Sequence, residues 1–374
     1  MSRLEFAIAS AILRLVGMLA SLLPFHSDRV VLATARVAAL EGNLLHIERA
    51  IHALRPDLRV SLLLEPYGYG LAAKLAYALR LVRGTVLLRT SRYVIVDNAY
   101  LPIHVAPHSR RTTVIQVWHA AGALKRFGAD TVQPLAEPEA TFLHRYYDIV
   151  VTSGDASREP WSAALRTPVV QVLALGTPRT DALLDGAAMT AVRDALLTAY
   201  PNLAGRRVVL YAPTFRGRGR DKRVAGSLDA RALREALPDD YALVLKTHPN
   251  LDARDESTIG YDLVAEPTSQ LNDLFAMADI LITDYSSSIF EWALLRRPLV
   301  LLVDDLEAYE RDPGLYVDYR REMIGTQVSD TVGVATAILE DDFDLAGYDA
   351  FIERHLGPCD GGASRRFVER LLSA

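Results

Sequence analysis

Short apolar runs rich in β-forming residues recur along most of this chain, and stretches with helical character separate them. Runs that are continuously apolar, rather than alternating between apolar and polar residues, are typical of strands covered on both faces. Strands of this kind, alternating with helices, predict the parallel sheets of an α/β fold. The predicted strands are residues 29–34, 60–64, 93–97, 113–117, 148–152 and 169–173, then 207–211, 241–246, 261–265, 279–283 and 299–303.

The strands fall into two series, and the polar, proline-containing segment 200–205 separates them. A chain of 374 residues is long for one hydrophobic core and comfortable for two domains. We therefore predict two Rossmann-like domains that face a cleft, formed by residues 25–200 and 206–345. Residues 346–374 are predicted to form a helical segment that packs back toward the N-terminal domain.

The N-terminal segment, residues 1–24, is unusually apolar. Arg14 separates two apolar runs, 6–13 and 15–25, and neither reaches the ~20 residues that a membrane-spanning helix needs. The helical spacing of the apolar residues indicates one of two structures. One is an amphipathic helix in a membrane interface, with Arg3 and Arg14 near anionic head groups, and the other is a helix docked on the protein's own core. The residues at this spacing are Leu4, Ile8, Leu15, Leu19 and Leu22.

The composition excludes several classes of function. A formal net charge of -5 without a run of like charges gives no basic face for a phosphate backbone, so nucleic acid is not expected as a partner. The single cysteine, Cys359, excludes an intramolecular disulfide and a thiolate metal site. Pro107 lies between His104 and His108 and argues against a helical pair of metal ligands. We therefore expect chemistry that needs no metal and no other cofactor.

Three short polar clusters directly follow predicted strands, at residues 117–119, 246–249 and 283–288. In an open α/β sheet, ligands bind just beyond the carboxyl ends of the strands. Polar side chains in these positions therefore predict one composite site to which several strands contribute.

The first cluster contains His119, a candidate general base. An imidazole with a pKa near ~6.5 can take a proton from an attacking hydroxyl group at neutral pH. Gly122 lets the chain approach a substrate closely, and Lys125 is a candidate ligand of an acceptor phosphate. Arg126 is more typical of a solvated helix face.

The second cluster contains His248, whose backbone Pro249 forces into an extended conformation at the end of a strand. This imidazole could donate a hydrogen bond to a diphosphate oxygen, and Lys246 could add a positive charge. A structural histidine is the alternative. Thr214 and Arg216 follow another strand of the second series and are candidate ligands of the same donor.

The third cluster contains Ser286, Ser287 and Ser288, which open a predicted helix. Hydroxyl groups and free backbone N–H groups at the start of a helix bind anions, so these serines predict a phosphate cradle. An ordinary serine N-cap is the alternative. Glu291, one turn later, is placed to accept hydrogen bonds from ribose hydroxyl groups, although a solvated helix carboxylate explains it equally well.

With these residues in place, the chain resembles the CDP-glycerol glycerophosphotransferase family of teichoic acid synthesis from about Leu22 to the C-terminus. Several motifs in the same order make the resemblance specific. Two positions depart from the family pattern: Ala120 stands where a glycine usually follows the first motif histidine, and Glu291 replaces a frequent aspartate. The matching elements are residues 116–119 with 122–128, 211–214, 248–249, 282–287 with Glu291, 91–98 and 314–319.

The resemblance implies a GT-B-like fold and peripheral attachment to the cytoplasmic face of the plasma membrane. It implies metal-independent transfer of glycerol phosphate from CDP-glycerol to an acceptor, either a saccharide linked to polyprenyl diphosphate or glycerol phosphate. The N-terminal domain would hold the acceptor and the C-terminal domain the CDP-polyol donor. His119 would activate the acceptor hydroxyl group, His248 would stabilise the departing CMP, and Ser286 and Ser287 would bind donor phosphate.

The two departures leave the donor and the acceptor open. CDP-ribitol-dependent transfer is one alternative, and a nucleotide-sugar glycosyltransferase for a capsular or wall polymer is another. A catalytically silent membrane scaffold is a third hypothesis, and the presence of both His119 and His248 argues against it.

Overall fold

The computed structural model describes residues 3–64, 70–105, 107–132, 135, 137–216, 223–224, 228–246, 258–266 and 268–373. The chain divides into two compact units. The first consists of Met1–Asp181 with His355–Ala374, and the second of Ala182–Arg354.

Strands and helices alternate along most of the described residues. The strands are β1 His26–Thr34, β2 Arg59–Leu64, β3 Ser91–Val96, β4 Thr113–Gln116, β5 Ile149–Thr152, β6 Val172–Ala174, β7 Arg207–Tyr211, β8 Phe215–Arg216, β9 Arg223–Val224, β10 Tyr241–Leu245, β11 Leu263–Val264, β12 Ile280–Thr283, β13 Leu299–Leu302 and β14 Thr326–Val328. The helices are α1 Arg3–Ala20, α2 Gly42–Leu54, α3 Leu71–Thr90, α4 Leu101–Val105, α5 Glu139–Phe142, α6 Arg158–Leu165, α7 Asp181–Leu184, α8 Gly186–Ala199, α9 Ala230–Ala236, α10 Leu271–Met277, α11 Ser288–Ala293, α12 Leu306–Arg311, α13 Tyr319–Glu322, α14 Thr331–Glu340, α15 Gly347–Leu356 and α16 Ala363–Leu371.

Each unit is built on a parallel sheet, as the continuous apolar runs predict. The first sheet has the strand order β2-β1-β3-β4-β5-β6, and all of its neighbouring strands are parallel. The second has the order β11-β10-β7-β12-β13-β14 and is likewise parallel. The prediction of an α/β fold with two parallel sheets is therefore confirmed.

The strands are apolar because helices cover both faces of each sheet. Every residue of β10, β12 and β13 is buried. In the first unit, α16 packs on α2, and its residues Phe367 and Val368 join the core around Ile47 and Ile95. Burial of an apolar side chain of this size contributes about 1.5–3 kcal/mol, so removing α16 would expose a substantial part of this core.

A few elements differ from the sequence-based prediction. Residues 169–173 do not form one strand: Val169–Gln171 is a 3-10 turn, and β6 follows it. Val170 is 74% exposed, so this part of the apolar run faces solvent instead of a core. The apolar pattern does not predict β14 or the antiparallel pair of β8 and β9, because these strands are only two or three residues long and contain polar residues.

The topology defines one switch point in each sheet, where successive connections leave in opposite directions. In the first sheet it lies between β1 and β3, and in the second between β7 and β12. The crevice outside the carboxyl ends of such strands is the usual ligand site of open α/β sheets. The segments that follow these strands are therefore where functional side chains are expected.

Helix α1 has one buried face and one exposed apolar face. Ser10, Leu13, Gly17 and Ala20 are buried, and α1 packs against α3. The large apolar residues of the other face are between 49% and 83% exposed. Among the described residues, no helix is both long enough and apolar enough to cross a membrane. The exposed apolar residues are Leu4, Ile8, Ile12, Leu15, Met18, Leu19, Leu22 and Leu23, the last two just after the helix.

Candidate active site: polar groups at the two switch points

The loop that follows β4 holds Trp118 in a left-handed conformation, with φ of 50°. This conformation is unfavourable for a bulky residue, so surrounding contacts must hold it. The Trp118 N–H donates to Oε1 of Gln116 at 2.8 Å, and the Trp118 carbonyl accepts from Nδ2 of Asn43 at 2.9 Å. Gln116 is itself anchored, because its Nε2 donates to the Asn98 carbonyl at 3.1 Å. These bonds fix the backbone directly before His119.

The His119 ring is oriented by a backbone carbonyl. Its Nδ1 lies 3.3 Å from the carbonyl oxygen of Asp97, so Nδ1 carries the proton and donates it. Nε2 is then the unprotonated nitrogen, which is the one that can accept a proton. The His119 carbonyl in turn accepts from Nη1 of Arg179 at 2.9 Å. The group that orients the ring, which sequence reasoning left unidentified, is therefore a main-chain carbonyl rather than a carboxylate.

His119 is a neutral imidazole at neutral pH. Burial lowers the pKa of His119 to about 3, and the guanidinium of Arg36 lowers this pKa further while the hydrogen bond to Asp97 raises it. A bound anionic substrate would raise the pKa of His119 toward neutrality, because nearby negative charge favours imidazolium. The ring is thus ready to accept a proton, and it becomes a stronger base once an anionic substrate is bound.

Asp97 is a functional candidate that sequence reasoning missed. Its side chain is only 7% exposed, and its Oδ1 has no hydrogen-bond partner among the described residues. Burial raises the pKa of Asp97, while Thr34 and the nearby Arg36 guanidinium lower it. The available signal was its position directly after β3, at the switch point of the first sheet.

The structure accounts for Gly122 by backbone geometry. Its φ of 67° lies in the left-handed region that favours glycine, and its N–H donates to Oγ of Ser153 at 3.0 Å. That N–H is therefore engaged within the protein. Lys125, three residues after Gly122, is half-buried. The Arg126 guanidinium pairs with the Asp130 carboxylate at 3.0 Å.

In the second unit, Asp284 joins the segments that follow β7 and β12. Its Oδ1 accepts from the Thr214 N–H at 2.9 Å, and its Oδ2 accepts from the Thr214 hydroxyl at 2.7 Å. Asp284 is 4% exposed, and its carbonyl accepts from the Tyr319 hydroxyl at 2.6 Å. Sequence reasoning placed Asp284 in the third polar cluster but gave it no role, although a carboxylate at a strand's carboxyl end is a signal. Asp284 positions Thr214 at the switch point of the second sheet.

The three serines have different environments. Ser286 Oγ accepts hydrogen bonds from the Ser288 N–H at 3.2 Å and from the Ser288 hydroxyl at 2.8 Å. Ser288 is buried, whereas Ser286 and Ser287 are half-buried. Ser287 is the N-cap residue of α11, yet its side chain makes no capping hydrogen bond. Ser286 and Ser287 are therefore the members of the predicted cradle that retain hydroxyl groups for a ligand.

Glu291 and Lys246 are both buried. Glu291 is 2% exposed and accepts from Nδ2 of Asn272 at 3.2 Å, so the alternative of a solvated helix carboxylate is wrong. The Lys246 N–H donates to the Tyr211 carbonyl at 2.9 Å and extends the pairing of β10 with β7. Burial lowers the pKa of Lys246.

The described part of the chain does not include the side chains of two predicted donor ligands. His248 lies outside the described residues, and Arg216 belongs to β8 by its backbone while its side chain is not described. Within the part of the chain that is described, no group of three or more His, Cys, Asp or Glu side chains is arranged to hold a metal ion.

The two switch points thus carry an imidazole with a free Nε2 in one unit, and a threonine held by a carboxylate beside half-buried serines in the other. Comparison with known proteins assigns the chain to a family. Residues 15–373 match the model of the family described as CDP-glycerol:poly(glycerophosphate) glycerophosphotransferase. The chain belongs to this glycerophosphotransferase family. The recognition made from the motifs is confirmed, and with it the assignment of the protein as a transferase.

Individual relatives within the family differ in the polyol that their names specify. The chain is 34% identical over 366 residues to the teichoic acid ribitol-phosphate primase of Bacillus spizizenii, covering 95% of this chain and 94% of the relative. It is 27% identical to the teichoic acid glycerol-phosphate primase of Bacillus subtilis, covering 79% and 78%. It spans about half the length of two ribitol-phosphate polymerases that it also matches, 47% and 52%.

A solved structure supports the fold. The wall teichoic acid polymerase TagF aligns with a TM-score of 0.72 at 19% sequence identity, covering 98% of this chain and 96% of that one. At this level of identity the likeness establishes the architecture alone.

A buried histidine cluster lies beside the loop that carries Trp118. His104 and His144 are each 2% exposed, and both approach the Tyr147 hydroxyl, at 3.4 Å and 3.2 Å. The Trp118 ring meets His144 edge to face at 5.6 Å between centroids. Burial lowers the pKa of His104 to about 4 and that of His144 to about 3, the latter also through repulsion from His104.

We expect this cluster to make the protein acid-labile. Both native pKa values lie below the ordinary ~6.5, so the unfolded chain binds more protons than the native state as pH falls from ~6.5 toward 4. Stability is therefore lost as pH falls, by up to ~1.4 kcal/mol per pH unit for each histidine. Urea unfolding at several pH values measures this slope.

The matched variant is His144→Asn. Asparagine tolerates the left-handed φ of 57° at this position and still reaches the Tyr147 hydroxyl group, but it does not titrate. The slope of the unfolding free energy against pH should fall by the contribution of one histidine, up to ~1.4 kcal/mol per pH unit. An unchanged slope in His144→Asn would show that this ring does not drive the acid lability.

Proposed function

We propose that this protein transfers glycerol phosphate from CDP-glycerol to a hydroxyl group of a lipid-linked acceptor and releases CMP, in the synthesis of teichoic acid or a related wall polymer. The observation that carries the proposal is the Nδ1 bond of His119 to the Asp97 carbonyl, which leaves Nε2 to accept a proton. Because the chain belongs to the glycerophosphotransferase family, we propose that this base assists the transfer of glycerol phosphate.

In the proposed reaction, His119 Nε2 takes the proton of the acceptor hydroxyl group as its oxygen attacks the β-phosphorus of CDP-glycerol. The new oxygen–phosphorus bond forms while the bond to the CMP oxygen breaks, and CMP leaves with the electron pair. General-base assistance of this kind contributes about 10²–10⁴-fold. Gly122 and Lys125 are proposed on the acceptor side.

The donor is proposed to bind in the second unit. The bonds from Thr214 to Asp284 fix the segment after β7 beside the donor site. The hydroxyl groups of the half-buried Ser286 and Ser287 are suited to donate hydrogen bonds to phosphate oxygens. We propose that the other predicted donor residues complete this site, with positive charge offsetting the departing CMP. Those residues are Lys246, His248, Arg216, Ser288 and Glu291.

We further propose that the acceptor domain, predicted as residues 25–200, corresponds to the first unit, and that the donor domain, predicted as residues 206–345, corresponds to the second unit. The second unit also contains residues 182–200. The two domains are proposed to face a cleft. In-line transfer supports this arrangement, since the base and the donor phosphate must meet on opposite sides of the attacking oxygen. Of the predicted C-terminal segment 346–374, His355–Ala374 complete the acceptor domain in this proposal.

A second candidate donor is CDP-ribitol. What favours it is the relative named a ribitol-phosphate primase, which is 34% identical and matched over 94% of its length, against 27% and 78% for the glycerol-phosphate primase. The chemistry at phosphorus is the same for both donors. The difference lies in the length of the polyol that the donor site accommodates.

We expect CMP release from one CDP-polyol to exceed that from the other by at least about tenfold, because a mismatched polyol leaves polar groups of the site unpaired. The assay presents CDP-glycerol, CDP-ribitol and a UDP-sugar side by side with one acceptor and measures the released nucleotide. Preference for CDP-ribitol would replace the lead donor. Release of UDP alone would favour a nucleotide-sugar glycosyltransferase, and failure to bind any nucleotide would favour the silent scaffold.

We also propose that the protein attaches peripherally to the cytoplasmic face of the plasma membrane. An acceptor carried on polyprenyl diphosphate has to be met at the bilayer surface, and the exposed apolar face of α1 is suited to that interface. Vesicle binding by variants of α1 tests this attachment separately from the transfer reaction.

A further inference from the structure

A cavity of about 350 Å³ lies beside α1, within the first unit. This volume falls within the range of pockets that bind small ligands, ~300–1,000 Å³. It belongs to neither switch point. Its walls come from α1, α3, the end of α4, and the segments after α4 and α5. The lining residues are Arg14, Met18, Arg89, Val105, Pro107 and Tyr146.

The two arginines of this cavity are positioned but not neutralised. Arg14 Nε donates to the Val105 carbonyl at 2.9 Å. Arg89 donates from Nε to the Gly17 carbonyl at 3.1 Å and from Nη1 to the Pro107 carbonyl at 2.9 Å. All of these acceptors are neutral, and neither guanidinium pairs with a carboxylate among the described residues. The cavity wall therefore carries two positive charges without a counter-charge, which is the chemistry of a site for a phosphate group.

The cavity opens at the edge of the exposed apolar face of α1. At 100° per residue, Arg14 and Met18 lie on one line of the helix, between the buried residue Gly17 and the exposed residues Leu15 and Leu19. Met18 is 59% exposed and also lines the cavity. A ligand held there would have its anionic part at the arginines and an apolar part along the helix. Inorganic phosphate matches only the first of these features, whereas a lipid matches both.

We propose that this cavity binds the phosphate of an anionic phospholipid head group, so that α1 attaches to the bilayer with a preference for anionic lipid. The proposal rests on the membrane attachment proposed above and adds a defined binding site to it. Arg14 and Arg89 hold the phosphate oxygens, and the acyl chains lie in the layer that the exposed face of α1 enters.

The decisive variant is Met18→Trp, with Leu19→Trp as its matched control. Both place an indole on the exposed edge of α1, but only Met18 lines the cavity, so only the first substitution fills it while keeping both arginines. General attraction of arginines to an anionic surface predicts equal effects of the two variants, since no charge changes. Occupation of the cavity predicts a difference between them.

Binding is measured by co-sedimentation with vesicles of phosphatidylcholine alone and of phosphatidylcholine with phosphatidylglycerol. We expect the wild type and Leu19→Trp to bind the anionic vesicles at least about tenfold more tightly than the vesicles of phosphatidylcholine alone. Met18→Trp should lose most of this preference for anionic vesicles. Isothermal titration with short-chain dihexanoyl phosphatidylglycerol should show the same order. Inorganic phosphate should bind at least about tenfold more weakly than the lipid, and equal binding would overturn the assignment to a lipid.

Two further variants separate binding of lipid in the cavity from the proposed membrane attachment on which it rests. The single substitutions Ile12→Ser and Leu19→Ser should each weaken binding to both kinds of vesicle. Unchanged binding would overturn attachment through α1. If these serine variants lose binding while Met18→Trp keeps the preference for anionic vesicles, only the cavity assignment fails. Thermal unfolding and CMP release with a water-soluble acceptor should stay near wild type in all four. A wild-type dimer that the serine variants dissociate would show that a second copy occupies this face, and would also overturn the proposal.

Discussion

Replacing His119 with alanine is expected to lower kcat by about 10²–10⁴-fold while leaving the affinity for CDP-glycerol nearly unchanged. The reason is that Nε2 of His119 is the unprotonated nitrogen, because Nδ1 donates to the Asp97 carbonyl. The residues proposed to bind the donor belong to the other unit. Turnover is followed by CMP release, and donor affinity by isothermal titration.

His119→Asn separates proton transfer from positioning. The asparagine amide can replace Nδ1–H as the donor to the Asp97 carbonyl, but it has no counterpart of Nε2, so this variant should be as slow as His119→Ala. His52→Ala is the control, because His52 lies on α2 of the same unit and its side chain is 61% exposed. Near-normal turnover in His119→Asn would remove His119 from the role of base.

The pH dependence gives an independent reading of the same group. With a pKa of about 3, His119 is already unprotonated in the free enzyme near neutral pH. The profile of kcat/KM should therefore show no loss of activity from His119 protonation between about pH 5 and 7, since this profile reports the free enzyme. A loss centred near pH 6.5 that disappears in His119→Asn would contradict the lowered pKa.

Replacing Asp284 with alanine is expected to destabilise the second unit by about 3–5 kcal/mol and to weaken donor binding by at least about tenfold. Both of its carboxylate oxygens accept from Thr214, at 2.9 Å and 2.7 Å, and Asp284 is 4% exposed. Loss of the carboxylate leaves a poorly hydrated N–H and a hydroxyl group without this acceptor. Urea unfolding measures the first effect, and titration with CDP-glycerol the second.

Substitutions of Thr214 distinguish loss of stability from loss of donor binding. Thr214→Ser keeps the hydroxyl group that donates to Asp284 and should stay near wild type in both measurements. Thr214→Val keeps the shape but removes the hydroxyl group that anchors this segment to Asp284. It should therefore weaken donor binding through lost positioning, while costing about 1–2 kcal/mol of stability. Wild-type donor affinity in Asp284→Ala, under conditions where that variant is folded, would exclude this pair from the donor site.

Much of the fold could be predicted from local sequence. A strand covered on both faces is apolar along its length. Continuous apolar runs such as β7, β10 and β12 can therefore be recognised in the sequence without knowing which strands lie beside them. The same rule fails at 169–171, where an apolar run faces solvent, and at β14, which is too short and polar to stand out.

Local sequence also predicted which segments lie at the carboxyl edge of a parallel sheet, because polar clusters directly follow the buried strands there. It predicted His119, Thr214 and the three serines in this way, and also His248 and Arg216. The functional roles of all these residues remain predictions.

The sequence by itself determined the α/β class, the two series of strands and the family, because apolar runs and ordered motifs are properties of short segments. Only the tertiary structure decided which nitrogen of His119 is free, that Asp284 holds Thr214, that Glu291 is buried, and that Arg14 and Arg89 share one cavity. The physical reason is that hydrogen bonds, burial and electrostatic neighbours depend on residues far apart in the chain. Thr214 and Asp284 are separated by 70 positions, and no local pattern records that they meet.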